Sequence, residues 1–240
     1  MVDQKKNHSG LSYYAARIPA LAREIFSAKP AGLSAMDYDA YWKAKGEMNS
    51  TGRCPVLSSL ITAGASVLDI GCGEGVTLKY LREKNGARGR GLDISAQAVA
   101  MAREKGVDAE RADASAAEFE VDAVYDHIII SEVLEHIPNP EHLLAKVKGK
   151  FKVSLLISIP NSAYYLHRLR LLFGRFPVQW VWHPGEHLRF WSLTDFRETL
   201  DACGFEIISV RTHSGFLFLH GVWPNLFADS AVFEVREKCA

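Results

Sequence analysis

The chain has 240 residues, 48% of them hydrophobic and 23% charged, with 28 basic side chains balancing 28 acidic ones. Such a composition is ordinary for a folded globular protein and shows no sign of a disordered chain or a fibre. With no net charge there is no global field to hold a polyanion, so nucleic acid is not an expected partner.

Residues 1–50 read as a helical appendage, with helical patterns over 11–29 and 36–48 separated by the breakers "KPAGLS". The N-terminal stretch lacks the continuous apolar core of a signal peptide, and Cys54, Cys72, Cys203 and Cys239 form no CxxC pair. The apolar runs at 153–159 and 215–223 are far shorter than the roughly 20 residues a spanning helix needs. A cytoplasmic protein with no membrane span is expected.

Residues 51–240 change character. "SVLDI", "GRGLDI", "VDAERAD", "YDHIIIS" and "FKVSLLISIP" are strand-like and nearly unbroken apolar runs, separated by the helical patterns "GVTLKYLREK", "SAQAVAMAREK" and "NPEHLLAKVKGK". Strands alternating with helices of this length imply an α/β domain, a doubly wound, Rossmann-like parallel sheet covered on both faces. The alternation stops after Pro160, where 161–190 is irregular, basic and aromatic. It resumes with a helix capped by Ser192 or Thr194 and ended at Gly204, the strand "EIISVRTH" and a last strand "AVFEVRE". The segment 161–190 is thus an insertion after the fifth strand, near the edge where open α/β sheets bind ligands.

Chemistry gathers at that edge. Gly71, Gly73 and Gly75 follow the first strand and let the backbone turn tightly against a ligand. Their spacing departs from G-x-G-x-x-G, and Glu74 stands where a pyrophosphate would meet the next helix, so a donor with an ammonium and a sulfonium suits the charge better than a dinucleotide. Asp69 adds negative charge beside the turn. Asp93 ends the second strand, where a carboxylate accepts ribose hydroxyls, and Asp113 ends the third, where one accepts an adenine amino group. Each is also a common helix cap.

Through "VLDIGCGEG", "GLDIS", "RADAS" and "SEVLEHIPNP", in that order, residues 56–160 resemble the class I S-adenosylmethionine-dependent methyltransferases. The resemblance implies a seven-stranded sheet with an antiparallel last strand, and S-adenosyl-L-methionine as cofactor with S-adenosyl-L-homocysteine (SAH) as product. It also implies cofactor contacts from Asp69, Gly71, Cys72, Gly73, Asp93, Ile94, Asp113, Ala114, Ser131 and Glu132.

On one helical turn, Glu132, Glu135 and His136 of "EVLEH" would stand at i, i+3 and i+4 on one face. Three readings stay open: a fold signature, an acid/base cluster, or a metal site. Catalytic candidates are Glu132, His136 and His187, histidine because its ordinary pKa lies near neutrality. The metal reading follows from a local resemblance to quinone-pathway O-methyltransferases and small-RNA 3′-terminal 2′-O-methyltransferases, with His183 or His187 of "HPGEHLRFW" completing the set. A divalent metal is the less favoured reading.

The insertion resembles the corresponding stretch of the MetW group in its Pro-Asn and in "RLRLLFGRFPV". MetW-like proteins generally lack "EVLEH", which argues against a purely non-enzymatic partner here. Arg168, Arg170, Arg175 and Arg189, interleaved with Tyr164, Tyr165, Trp180, Trp182 and Trp191, would suit an anionic acceptor, and the Leu-rich surface a lipid-linked one. The expectation is a methyltransferase acting on an oxygen, nitrogen or carbon of a small molecule, beneath a lid of 1–50 and 161–190.

Overall fold

A computed structural model describes residues 36–45, 52–177 and 185–238. The helical pattern at 11–29 and the residues Trp180, Trp182, His183 and Cys239 lie outside them. Seven strands form one sheet: β1 (Ser66–Ile70), β2 (Arg88–Asp93), β3 (Asp108–Arg111), β4 (Tyr125–Ser131), β5 (Phe151–Pro160), β6 (Phe205–Gly215) and β7 (Ala228–Glu237). Their order is β3-β2-β1-β4-β5-β7-β6, and β7 runs antiparallel to both neighbours, as expected for the last strand.

The apolar runs form strands because each residue has a core to enter on either face. Leu68, Ile70, Ile128, Ile130, Leu155, Ile157 and Phe233 join one core. Their immediate neighbours Val67, Ile129, Leu156 and Val232 join the other. Side chains alternate across a strand, so continuous apolar sequence is what a sheet covered on both faces requires. Among the described residues no helix is long and apolar enough to cross a membrane.

The covering helices are α2 (Arg53–Leu60), α3 (Val76–Asn85), α4 (Ala96–Glu104), α5 (Pro140–Lys146) and α7 (Leu193–Ala202), with α1 (Tyr38–Lys45), α6 (Tyr165–Leu172), α8 (Leu219–Val222) and α9 (Pro224–Phe227) at the periphery. Local chemistry fixes their ends. Ser95 Oγ accepts the Ala98 N–H at 3.1 Å to start α4. Ser192 and Asp195 form a reciprocal capping box that starts α7, so Ser192 rather than Thr194 is the cap. Pro140 opens α5, where its missing N–H costs nothing. The third strand is shorter than the expected 107–113, because Asp113 accepts hydrogen bonds from Ser115 N and Oγ and draws the chain into a turn.

Phe196 joins α7 to the sheet. It is fully buried, with its ring centroid 5.3 Å from Trp191 and 5.0 Å from Phe233, both edge-on. Phe196→Ala removes this wedge and is expected to lower stability by about 3–5 kcal/mol in urea unfolding.

Candidate functional site

A cavity of about 350 Å³ opens at the carboxyl edge of β1, β2 and β4. The turn after β1 forms its floor. Gly71 and Gly73 have φ of 79° and 55°, the left-handed region that disfavours side chains. Space is as restrictive as conformation: a Cβ on Gly71 would lie 2.2 Å from Val133 Cγ2, and one on Gly73 would lie 2.6 Å from Trp42 Cζ2. The first contact joins the ends of β1 and β4, and the second brings α1 onto the turn.

Asp93 organises the β2 side. Its Oδ2 accepts the Gly73 N–H at 2.8 Å and its Oδ1 accepts the Ser95 N–H at 2.9 Å. These bonds draw its pKa down, but burial is the larger effect and raises it. Asp69 is wholly buried and pushed up to about 7, chiefly by loss of water, with Asp93 adding to the rise. Among the described residues its Oδ1 has no hydrogen-bond partner. Glu74 is buried too, but Lys105 is bonded to its carboxylate, so its charge is compensated. Cys72, Ile94, Asp113 and Ala114 also line the cavity.

The β4 side departs from expectation. Residues 134–136 form a single 3₁₀ turn rather than an α-helix, and Glu132 has a φ of 56°. Glu132 therefore does not share a face with Glu135 and His136. Its carboxylate accepts from Ser158 Oγ and lies 3.5 Å from Arg53 Nη1. Glu135 and His136 meet His187 instead: one ligand-type atom from each lies within 4.8 Å of the others. The insertion does fold back as far as His187, because the backbone N–H groups of Leu188 and Arg189 donate to the Glu135 carbonyl at 2.8 and 3.0 Å. Ser131, Glu132, Glu135, His136 and His187 all line the cavity.

Sequence reasoning missed four residues here: Arg53, Tyr38, Trp42 and Glu186. Glu186 lies within "HPGEHLRFW" but was passed over for its histidines, and the other three reach the cavity through tertiary contacts. Tyr38 and Trp42 are held there by Asp39, whose Oδ1 accepts from Ser95 Oγ at 2.5 Å and Gln97 N at 3.1 Å. The aromatic spacing of "YDAYW" was the one available signal. The four arginines of the insertion, by contrast, do not line the cavity. Arg168 donates to the Ala163 carbonyl, Arg170 is buried and donates to that of Phe176, and Arg189 donates to that of Pro138.

A mostly parallel seven-stranded sheet of this order, with a glycine turn and an acid-lined cavity at its carboxyl edge, is the architecture of the class I S-adenosylmethionine-dependent methyltransferases. A solved structure of magnesium protoporphyrin IX methyltransferase from Synechocystis PCC 6803 with bound SAH is similar, with a TM-score of 0.59 over 84% of this chain and 94% of that one at 19% identity. The family model "Methionine biosynthesis protein MetW" matches residues 51–235, and the chain belongs to that family. The likeness to the MetW group therefore extends well beyond the insertion.

The chain is 27% identical over 197 residues to the bifunctional methionine biosynthesis protein MetXA/MetW of Rhodopirellula baltica, covering 75% of this chain and 32% of that protein. It is 39% identical over 85 residues to the ubiquinone biosynthesis O-methyltransferase of Azoarcus sp., covering 33% of this chain and 36% of that protein. The chain thus spans about a third of the length of these two relatives.

Because a side chain on Gly73 would displace Trp42, Gly73→Ala is expected to weaken SAH binding by about tenfold or more, at a stability cost of only about 1–3 kcal/mol. Calorimetry with SAH and thermal melting of the same variant separate the two effects.

Proposed function

We propose that the protein is an S-adenosylmethionine-dependent methyltransferase that moves a methyl group to an oxygen, nitrogen or carbon of a small-molecule acceptor. The observation that carries this reading is Asp93, which is bonded to the glycine turn inside the same cavity as the end of β4. Two N–H bonds leave its carboxylate further lone pairs for a ribose diol. In this reading Gly71, Cys72 and Gly73 pack on the methionine part, Asp93 and Ile94 hold the ribose, Asp113 and Ala114 frame the adenine, and Ser131 and Glu132 flank the sulfonium. Asp69 pairs with the donor's ammonium.

Transfer is an in-line displacement on an already activated methyl, so holding donor and acceptor in line supplies much of the rate. His136 and His187 are the candidate bases for a protonated acceptor. Glu132 is less suited to that task, since Ser158 and Arg53 already engage it. The segment α1 and the part of the insertion around His187 serve as a lid. Its zero net charge disfavours nucleic acid as a partner, and on its cysteine pattern we assign the protein to the cytoplasm.

A second reading, a methyltransferase-like subunit that escorts a metabolic enzyme, is supported by the MetW family membership and by the fused relative from Rhodopirellula baltica. Copurification with a stoichiometric partner, together with no affinity for SAH, would favour it. A metal-assisted O-transfer is the other alternative, on a quinone precursor or an RNA 3′ end, supported by the Glu135, His136 and His187 cluster.

Two measurements test the primary reading. Asp93→Ala is expected to weaken SAH binding by about a hundredfold, in keeping with the loss of charge-assisted bonds worth about 1.5–3 kcal/mol, and unchanged calorimetric affinity would refute it. The second concerns pH. Below about 7 Asp69 is a neutral acid and cannot pair with an ammonium, so cofactor binding expels its proton. SAH affinity should therefore rise severalfold from about pH 6 to about pH 8 and stay low and flat in Asp69→Asn.

A further inference from the structure

The cavity also holds carboxyl groups that donor binding does not use. Glu135 is 1% exposed, and among the described residues neither of its carboxylate oxygens has a hydrogen-bond partner. Burial, then the neighbouring Glu132 and Glu186, push its pKa well up. A carboxyl group so enclosed is costly unless a proton or a cation meets it.

Other groups converge on the same spot. His136 Nε2 is 3.8 Å from Glu135 Oε1, and His136 Nδ1 is 3.8 Å from Glu186 Oε1. The rings of His136 and His187 stand edge-on at 4.8 Å. Tyr38 closes the group, with its ring 6.3 Å from that of His136. Burial first, then Glu186 and Glu135, hold its phenol well above the ordinary value. Among the described residues, the lysine and arginine lining the cavity are engaged elsewhere: Arg53 with Glu132, and Lys45 over the rings of Tyr41 and Trp42.

We infer that the acceptor is a basic amine, whose nitrogen sits among Glu135, Glu186, His136 and His187. This rests on the methyltransferase reading above and narrows it to N-methylation. It also replaces the anionic acceptor expected from the insertion's arginines, which do not line the cavity. Two carboxyl groups and two imidazoles within a few ångströms can surround one ammonium nitrogen, each acceptor about 2.8 Å from it.

The chemistry balances without a further reagent. The amine arrives as an ammonium and passes one proton to Glu135 or His136. The uncovered lone pair attacks the sulfonium methyl, a C–N bond forms, and the C–S bond breaks with its electron pair staying on sulfur. SAH and a methylammonium result, and the proton held by the protein leaves to water.

The test uses the full chain and three matched probes, phenethylamine, 2-phenylethanol and phenylacetate, titrated by calorimetry with and without saturating SAH. Phenethylamine should bind at least about tenfold more tightly than either isostere. That preference should disappear in Glu135→Gln, and in Glu186→Gln should the first variant fail to fold as judged by its melting transition. No preference, or a preference for phenylacetate, overturns the inference. So does stoichiometric binding of manganese that displaces phenethylamine, which would make the cluster a metal site. The donor reading fails separately: absence of SAH binding overturns it and this inference together, whereas SAH binding without amine preference overturns this inference alone.

Discussion

The contact on which the site depends is the approach of Gly71 to Val133, which leaves no room for a Cβ between them. It seats the turn after β1 directly on the end of β4, and everything at the carboxyl edge takes its position from that contact. The β1 turn offers the backbone N–H of Gly73 to Asp93, and the β4 turn carries Glu135 and His136. A side chain at 71 would meet Val133 at 2.2 Å and push the two turns apart. Parallel strands deliver their ends to one edge. The close approach is what makes that edge a single site.

Charge follows from the same geometry. A chain with zero net charge places Asp69, Asp93, Glu132, Glu135 and Glu186 around one cavity. Four of them are accommodated in three ways: Asp93 by backbone N–H groups, Glu132 by Ser158 and Arg53, and Asp69 and Glu135 by holding on to their protons more strongly than exposed carboxyls do. Bulk composition averages this distribution away. Local concentration of one sign in a low-dielectric cleft, rather than global charge, selects the ligands.

What was legible in the sequence was what depends on neighbours along the chain. The strands announced themselves because both faces of the sheet are covered, and the glycine turn because its backbone demands it. Asp93 was legible as the acid at a strand end. The conformation of Glu132 was not, since a non-glycine residue at positive φ leaves no compositional mark, and the expectation of a shared helical face failed on that one torsion. Arg53 and Tyr38 were equally silent, because their roles come from contacts across the fold. The arginines of the insertion misled for a related reason: "RLRLLFGR" records charge but not that Arg170 turns inward to cap a carbonyl.

The short bridge from Asp39 to Ser95 has a consequence for two helices at once. Ser95 also starts α4, so the same hydroxyl that terminates one helix tethers another across the mouth of the cavity. Asp39 is exposed while Ser95 is buried, so the bond joins a surface carboxylate to the interior end of α4. Trp42 lines the cavity and lies against the turn at Gly73, so the segment that this bond holds is part of the cavity wall. One serine hydroxyl thus couples the start of α4 to the wall contributed by α1, and its loss would loosen both together.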